Sequence, residues 1–164
     1  MTHNNFTIRE IKQEDNPKIA KTIRDILVEF GVPKVGTAYA DKLLDTLFET
    51  YNIKNAIYFI IEKEGEIFGG AGIKQLDNYD GNVCELQKMY FLPEARGIGL
   101  GKVLIELCLQ KAKEFGFEKC YLETLPYMKD ARKLYKKVGF KNLDARMGDT
   151  GHYSCNLWML KDLQ

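Results

Sequence analysis

The chain is predicted to fold as an α/β (α+β) protein, with a central mixed, mostly antiparallel sheet of about seven strands flanked by about four helices. Three observations predict this. Residues 57–61 and 67–76, rich in β-branched and aromatic side chains, are joined by Glu64-Gly65 and followed by a third apolar run, 83–91, which together read as an antiparallel meander. Amphipathic stretches with helical spacing stand on either side of that meander. The stretch over 103–115 leads to a short strand-like run, 119–124, and a strand reached through a helical crossover lies parallel to the one it left.

Taken in order, residues 6–10 alternate apolar with polar and begin the sheet as an edge strand. Asn16-Pro17 opens the first helix, with Asn16 as its cap and Pro17 at the first helical position; Ile19, Ile23, Ile26, Leu27 and Phe30 mark its apolar face. Gly31-Val32-Pro33 ends it, and a loop through Lys34-Val35-Gly36 leads to a second helix striped by Tyr39, Leu43, Leu44, Leu47, Phe48 and Tyr51. The two stripes suit either the wall of a substrate pocket or a plain core-facing surface. Within the meander, Gly69-Gly70 and Gly72 signal a bulge or a close backbone approach. The third helix presents Val103, Leu104, Leu107, Cys108, Ala112 and Phe115 and stops at Gly116. After Pro126 a fourth helix, 128–137, carries Ala131, Leu134 and Tyr135, and a hairpin of 140–143 and 153–160 closes the chain around a loop containing residues 146–152.

With 164 residues the chain fits one domain, 1–164, able to bury a core without disulfide or metal staples. Twenty-four basic residues against twenty-three acidic ones, with no block of like charge, point away from nucleic acid and from a polybasic membrane contact. No apolar run reaches the roughly 18 residues of a membrane span, and Met1-Thr2-His3-Asn4-Asn5 lacks a signal core, so a cytoplasmic location is expected. Cys84, Cys108, Cys120 and Cys155 form no Cys-x-x-Cys pair and read as buried free thiols. With His3 and His152 as the sole histidines, no metal is expected.

The stretch Leu92-Pro93-Glu94-Ala95-Arg96-Gly97-Ile98-Gly99-Leu100-Gly101-Lys102 lies between a strand and a helix and reads as an anion cradle. Alternate glycines let the main chain approach a ligand, and the unpaired amides of the helix start favour phosphate. A dinucleotide fingerprint would place its third glycine one position later, although Glu123 falls near the distance of a ribose contact. A P-loop would need glycine where Arg96 stands and a hydroxyl residue where Val103 stands.

Arg96-Gly97-Ile98-Gly99-Leu100-Gly101, followed by Ala131-x-x-Leu134-Tyr135-x-Lys137-x-Gly139-Phe140, resembles the two signatures of the GNAT superfamily of acetyl-CoA-dependent N-acetyltransferases. The resemblance covers nearly the whole chain. It departs at Met128, where many members carry asparagine, which bears on one contact to the cofactor arm. The resemblance implies the GNAT acyl-CoA N-acyltransferase fold and acetyl-CoA as co-substrate. It further implies that the main chain of Met89, Tyr90 and Phe91 pairs with the pantetheine arm, while Arg96, Gly97, Ile98, Gly99, Leu100, Gly101 and Lys102 receive the pyrophosphate.

In such an enzyme Tyr135 is the expected general acid toward the CoA thiolate; the alternative is a core aromatic. Glu85, a carboxylate among Val83, Cys84 and Leu86, is the expected base for the acceptor ammonium, or else pairs with Lys88 or points to solvent. Strict alternation would set Glu85, Gln87 and Met89 on one face unless a bulge intervenes. His152 is a second candidate near the acceptor, with a plain loop histidine as the alternative, and Arg96 has a surface ion pair as its alternative. The expected acceptor is a small-molecule primary amine attacked in a ternary complex; the alternatives are a protein or peptide amine, or a CoA-binding homologue without catalysis. A homodimer is compatible with this reading.

Overall fold

The computed structural model describes residues 1–126 and 128–164. The chain runs β1 (Thr2–His3), β2 (Phe6–Glu10), α1 (Asn16–Glu29), α2 (Leu47–Tyr51), β3 (Ile57–Lys63), β4 (Glu66–Gln75), β5 (Val83–Phe91), α3 (Leu100–Glu114), β6 (Lys119–Thr124), α4 (Lys129–Lys137), β7 (Lys141–Leu143) and β8 (Leu157–Asp162). One eight-stranded sheet has the order β1-β2-β3-β4-β5-β6-β8-β7. Every pairing is antiparallel except β5 with β6, which the α3 crossover joins.

Each face of the sheet is covered. Leu104, Ile105, Cys108 and Ala112 of α3, with Tyr135 of α4, pack on Phe59, Ile61, Ala71, Ile73 and Leu86. Across the sheet, Ile19, Ile23 and Leu27 of α1 join Leu44 and Leu47 over Tyr58 and Ile60. Fully burying each such aliphatic side chain contributes about 1.5–3 kcal/mol, enough to fix the helices in place. The α3 face is rotated from the expected one: Ile105 and Leu109 are buried, whereas Val103 and Leu107 pack only partly.

Several expectations are corrected. β2 is not the edge strand, because Thr2 and His3 pair with Thr7 and Phe6 outside it. Asn16 is the first residue of α1 and not its cap; its Oδ1 accepts from the Phe48 amide of α2 at 2.8 Å. The long second helix is absent. Two short 3-10 turns, Ala38–Ala40 and Lys42–Thr46, precede the five-residue α2. Thr37 Oγ1 takes the Tyr39 amide and Asp41 Oδ1 takes the Leu43 amide, with both residues extended, so side-chain caps interrupt the helix that the apolar stripe alone would continue. Finally, β8 begins at Leu157 and lies between β6 and β7, which leaves Tyr153 and Cys155 in the loop before it.

Two irregularities in β5 shape the centre of the molecule. Its register with β4 jumps from Gly72↔Gln87 to Gly70↔Tyr90, so Lys88 and Met89 together oppose Ala71, and Lys88 has φ 50°. Tyr58 holds this bulge by donating its hydroxyl to the Lys88 carbonyl at 2.8 Å, with its ring in the space left beside Gly70 and Gly72. The bulge inverts the alternation. Met89 and Phe91 join Leu86 on the α3 face, while Tyr90 takes the α1 face that Gln87 reaches through Tyr51. The second irregularity is a parting of strands: β5 pairs with β6 only at Val83↔Lys119, Cys84↔Cys120 and Glu85↔Tyr121, although both strands run on.

Candidate active site

Beyond the end of β5 the chain makes a 3-10 turn, Pro93–Ala95, and enters α3 through glycines. Gly97 at φ 73° and Gly99 at φ 83° adopt a conformation that other residues resist, and the turn depends on it. Val103 is the first residue whose amide finds an intrahelical acceptor, the Gly99 carbonyl at 3.3 Å. The amides of Leu100, Gly101 and Lys102 therefore head the helix unpaired, at its positive end. Gly101 faces α4 so closely that a Cβ there would lie 2.7 Å from Leu134 Cδ2. The two sequence signatures thus meet in space.

Two side chains brace this turn. His3 Nε2 lies 2.6 Å from the Ile98 carbonyl, so the two-residue β1 holds the turn from the far edge of the sheet. Arg96 donates Nε to the Phe91 carbonyl at 2.8 Å, forks onto Glu29 at 2.7 and 2.8 Å, and stacks 4.8 Å over Phe30. In this arrangement its guanidinium faces α1 and not the helix-start amides. Lys102 is half exposed and 3.9 Å from Glu106.

Glu85 sits where β5 and β6 part. It is 3% exposed, and burial pushes its carboxyl up to about 7, with nearby Glu123 raising it further, against the hydrogen bond from Gln87 that lowers it. Gln87 Nε2 donates to Glu85 Oε1 at 2.6 Å, and Tyr51 donates to Gln87 Oε1 at 2.5 Å. The carboxylate is thus held by a relay reaching to α2 and is poised to exchange a proton near neutrality. Tyr135 is buried against Phe140, and burial alone raises its phenol well above the ordinary value, which keeps the group protonated.

Around Glu85 lies a cavity of about 50 Å³ lined by Tyr90, Glu123, Thr124, His152 and Cys155 among others. It shares Thr37, Gln87, Lys88 and His152 with a wider cavity of about 390 Å³ that reaches Asp41, Lys42 and Lys74. A more open hollow of about 620 Å³ over residues 74–80 shares Lys74 and Asp77 with the wider cavity but none of the residues that line the smaller one. Sequence reasoning missed Asp41, Glu123 and the Tyr51-Gln87 relay. Glu123 accepts from Tyr121 at 2.7 Å and from Thr150 at 2.5 Å. Asp41 lies 3.5 Å from His152 and 3.7 Å from Lys88, and the hydrogen bond with His152 leads in lowering its carboxyl to about 2. A capping signal at Asp41 was visible in the chain, but its partners lie tens of residues away.

The structure therefore brings Glu85 and His152 to one cavity and gathers Gly97, Ile98, Gly99, Leu100, Gly101 and Lys102 in one turn at the end of the same strand. Met89 and Phe91 pack on the α3 face, and Tyr90 lines the cavity. Cys84, Cys108 and Cys120 are buried free thiols, whereas Cys155 is half-buried at the cavity, its thiol pushed up by burial to about 12. Among the described residues no group of three or more His, Cys, Asp or Glu side chains is placed to hold a metal ion. No helix among them is long and apolar enough to cross a membrane.

Comparison with known proteins bears on what such a cleft does. Residues 20–140 match the profile of the Acetyltransferase (GNAT) family. The chain is 43% identical over 157 residues to the N-acetyltransferase YjgM of Escherichia coli K12, itself uncharacterised, covering 95% of this chain and 94% of that one. A GNAT-family acetyltransferase of Staphylococcus aureus Mu50 superposes with a TM-score of 0.85 at 21% identity, over 97% of this chain and 99% of that one. The Salmonella typhimurium protein yncA, solved with its cofactor acetyl-CoA, superposes with a TM-score of 0.77 at 18% identity, over 98% and 95%. At those identities the two structures speak for the fold.

Proposed function

The chain belongs to the GNAT family of acetyltransferases and is an acyltransferase, and from that premise we propose that it moves an acetyl group from acetyl-CoA to the primary amine of a small molecule by direct attack in a ternary complex. One observation carries the reading. β5 and β6 part at Glu85 and Tyr121, with a buried carboxylate at the vertex and the unpaired amides of α3 beyond the end of β5. Pyrophosphate fits those amides, since anions are stabilised at a helix start. The main chain of Met89, Tyr90 and Phe91, on the strand that leaves β6, would align the pantetheine arm as an added strand.

In the reaction the amine nitrogen bonds to the thioester carbon and the carbon–sulfur bond breaks. Glu85, held by Gln87 and titrating near 7, takes the proton that the acceptor ammonium must lose. Tyr135, kept protonated by its burial, supplies the proton to the departing sulfur and is reprotonated by the second proton that the nitrogen sheds as the tetrahedral intermediate collapses to the amide. A small acceptor is favoured by the loops that bound the wider cavity: the Ser154 amide donates to the Gly36 carbonyl at 3.0 Å and Ser154 Oγ to the Val35 carbonyl at 2.8 Å, which ties the loop before β8 to the cavity wall. A protein lysine calls for an open groove.

The test pairs binding with turnover. Acetyl-CoA at 100-fold its Kd should add about 2.7 kcal/mol and raise the midpoint by roughly 5–10 °C. A panel of small primary amines should then release free thiol above background. Stabilisation without release from any small amine, while a protein or peptide substrate is turned over, would replace this reading with acetylation of protein amines. Absence of stabilisation at high acetyl-CoA would overturn it.

A further inference from the structure

The wall of the wider cavity carries a cation that the proposed chemistry does not use. Lys88 is the bulge residue of β5, held at φ 50° with its carbonyl fixed by Tyr58. Such a backbone conformation is costly for a residue with a side chain, so what it positions deserves a reason. It delivers the lysine to the side of the strand where the two cavities adjoin. The side chain is 5% exposed, and its nearest carboxylate, Asp41, is 3.7 Å away. That exceeds the roughly 2.7–2.9 Å of a charge-assisted hydrogen bond. Asp41 is moreover shared with His152 at 3.5 Å. Lys74 on the same wall is satisfied by Asp77 at 2.8 Å, so the under-partnered ammonium is that of Lys88.

The charge around the cavities is graded. At the strand gap stand two carboxylates, Glu85 and Glu123. In the wider part Lys42, Lys74 and Lys88 face Asp41 and Asp77, leaving positive charge in excess. We infer that the acceptor carries a carboxylate beside its amine, as an α-amino acid does, with the carboxylate on Lys88 and the ammonium directed to Glu85. This rests on the N-acetyltransferase reading and narrows its acceptor. A buried ammonium lacking a close partner gains most from an anion that enters with its own counter-charge. An acceptor with only amines, such as a polyamine, would set a second cation against Lys88. The strand bulge thus does two things: it turns Lys88 to the acceptor side and moves Met89 to the other face.

The experiment compares primary-amine α-amino acids with their decarboxylated amines, using acetyl-CoA and thiol release on the unaltered chain. At least one amino acid should exceed its decarboxylated partner in kcat/KM by roughly 10- to 100-fold, as expected for hydrogen bonding to a buried charge. In Lys88→Met the ratio should fall toward one, chiefly through KM of the amino acid, with stabilisation by acetyl-CoA as the check that the variant is folded. Decarboxylated amines turned over as well as, or better than, every amino acid would overturn the inference while leaving the acetyltransferase reading intact. So would a folded Lys88→Met that keeps the full preference. No stabilisation by acetyl-CoA and no thiol release from any amine would remove both. Should Lys88→Met fail to fold, the paired substrates on the unaltered chain still decide.

Discussion

In the proposed reading the cofactor end of the cleft offers the main chain of one continuous run, residues 97–102, whereas the acceptor end offers side chains of separate segments, among them Asp41, Glu85, Lys88, Glu123 and His152. The glycine turn needs only φ angles open to glycine and a helix behind it, both local properties of sequence. The acceptor end needs a bulge, a parting of strands and a loop tied to residues 35–36, each of which exists only when the sheet has formed. The lesson is that an invariant ligand group such as pyrophosphate can be met by backbone, while an individual acceptor must be met by side chains placed through tertiary contacts. Substitutions at one end should then leave the other's specificity alone.

The largest effect should come from the acceptor end. Glu85→Gln is expected to lower kcat/KM by roughly 100-fold or more, since a positioned base contributes about 10²–10⁴. On the unaltered chain kcat/KM should rise with pH to a plateau above about 7, the value to which burial raises this carboxyl, and the variant should lose that inflection. Its stability should move the other way. Because the native state holds the Glu85 proton more tightly than an exposed glutamate at 4.5, the stability it contributes is full below about 4.5 and is lost as pH rises to about 7. At pH 8 Glu85→Gln should therefore gain on the order of 3 kcal/mol in denaturant unfolding. A variant that is active and less stable would contradict both roles.

A smaller effect is expected from the cofactor end. At Gly97, φ is 73° and a Cβ would meet nothing within 4 Å, so Gly97→Ala isolates backbone strain from contact. With about 1–2 kcal/mol of strain, the acetyl-CoA dissociation constant should rise by roughly tenfold while the ranking of acceptors stays unchanged. A changed ranking would break the separation of the two ends. Smallest is His3→Ala, which removes the 2.6 Å contact to the Ile98 carbonyl. One hydrogen bond of about 1 kcal/mol corresponds to roughly fivefold weaker acetyl-CoA binding by calorimetry. Affinity equal to the parent's would show that the turn stands without its brace from β1.

The limits of β5 and β6 and the single parallel pairing were legible because a long apolar strand, a glycine turn and a crossover helix are local patterns. The helix expected around residues 39–51 was not, because an apolar stripe at helical spacing cannot report that Thr37 and Asp41 cap the amides of Tyr39 and Leu43 and split the segment. Glu85 stood out as a carboxylate in an apolar strand, a signal that survives without coordinates because burying it carries a cost. Glu123 stands in a similar setting, beside Leu122 in β6, but its spacing from the glycines reads only as a ribose contact, and Asp41 lies in a loop; both face their partners only in the fold. Arg96 illustrates the remaining kind of gap: its position beside the glycines was plain, but its ion pair with Glu29 spans 67 residues.

By itself the sequence determined the sheet's central strands and the glycine turn at the start of α3, since periodicity, glycine conformation and helix starts are properties of short stretches. Only the tertiary structure decided which way Lys88 and Met89 face, where Glu85 lies along the gap, and which carboxylates and cations share its cavity. The reason is the period of a strand: one inserted residue reverses every side chain beyond it, and whether that insertion occurs is settled by Tyr58 and the glycines of the neighbouring strand.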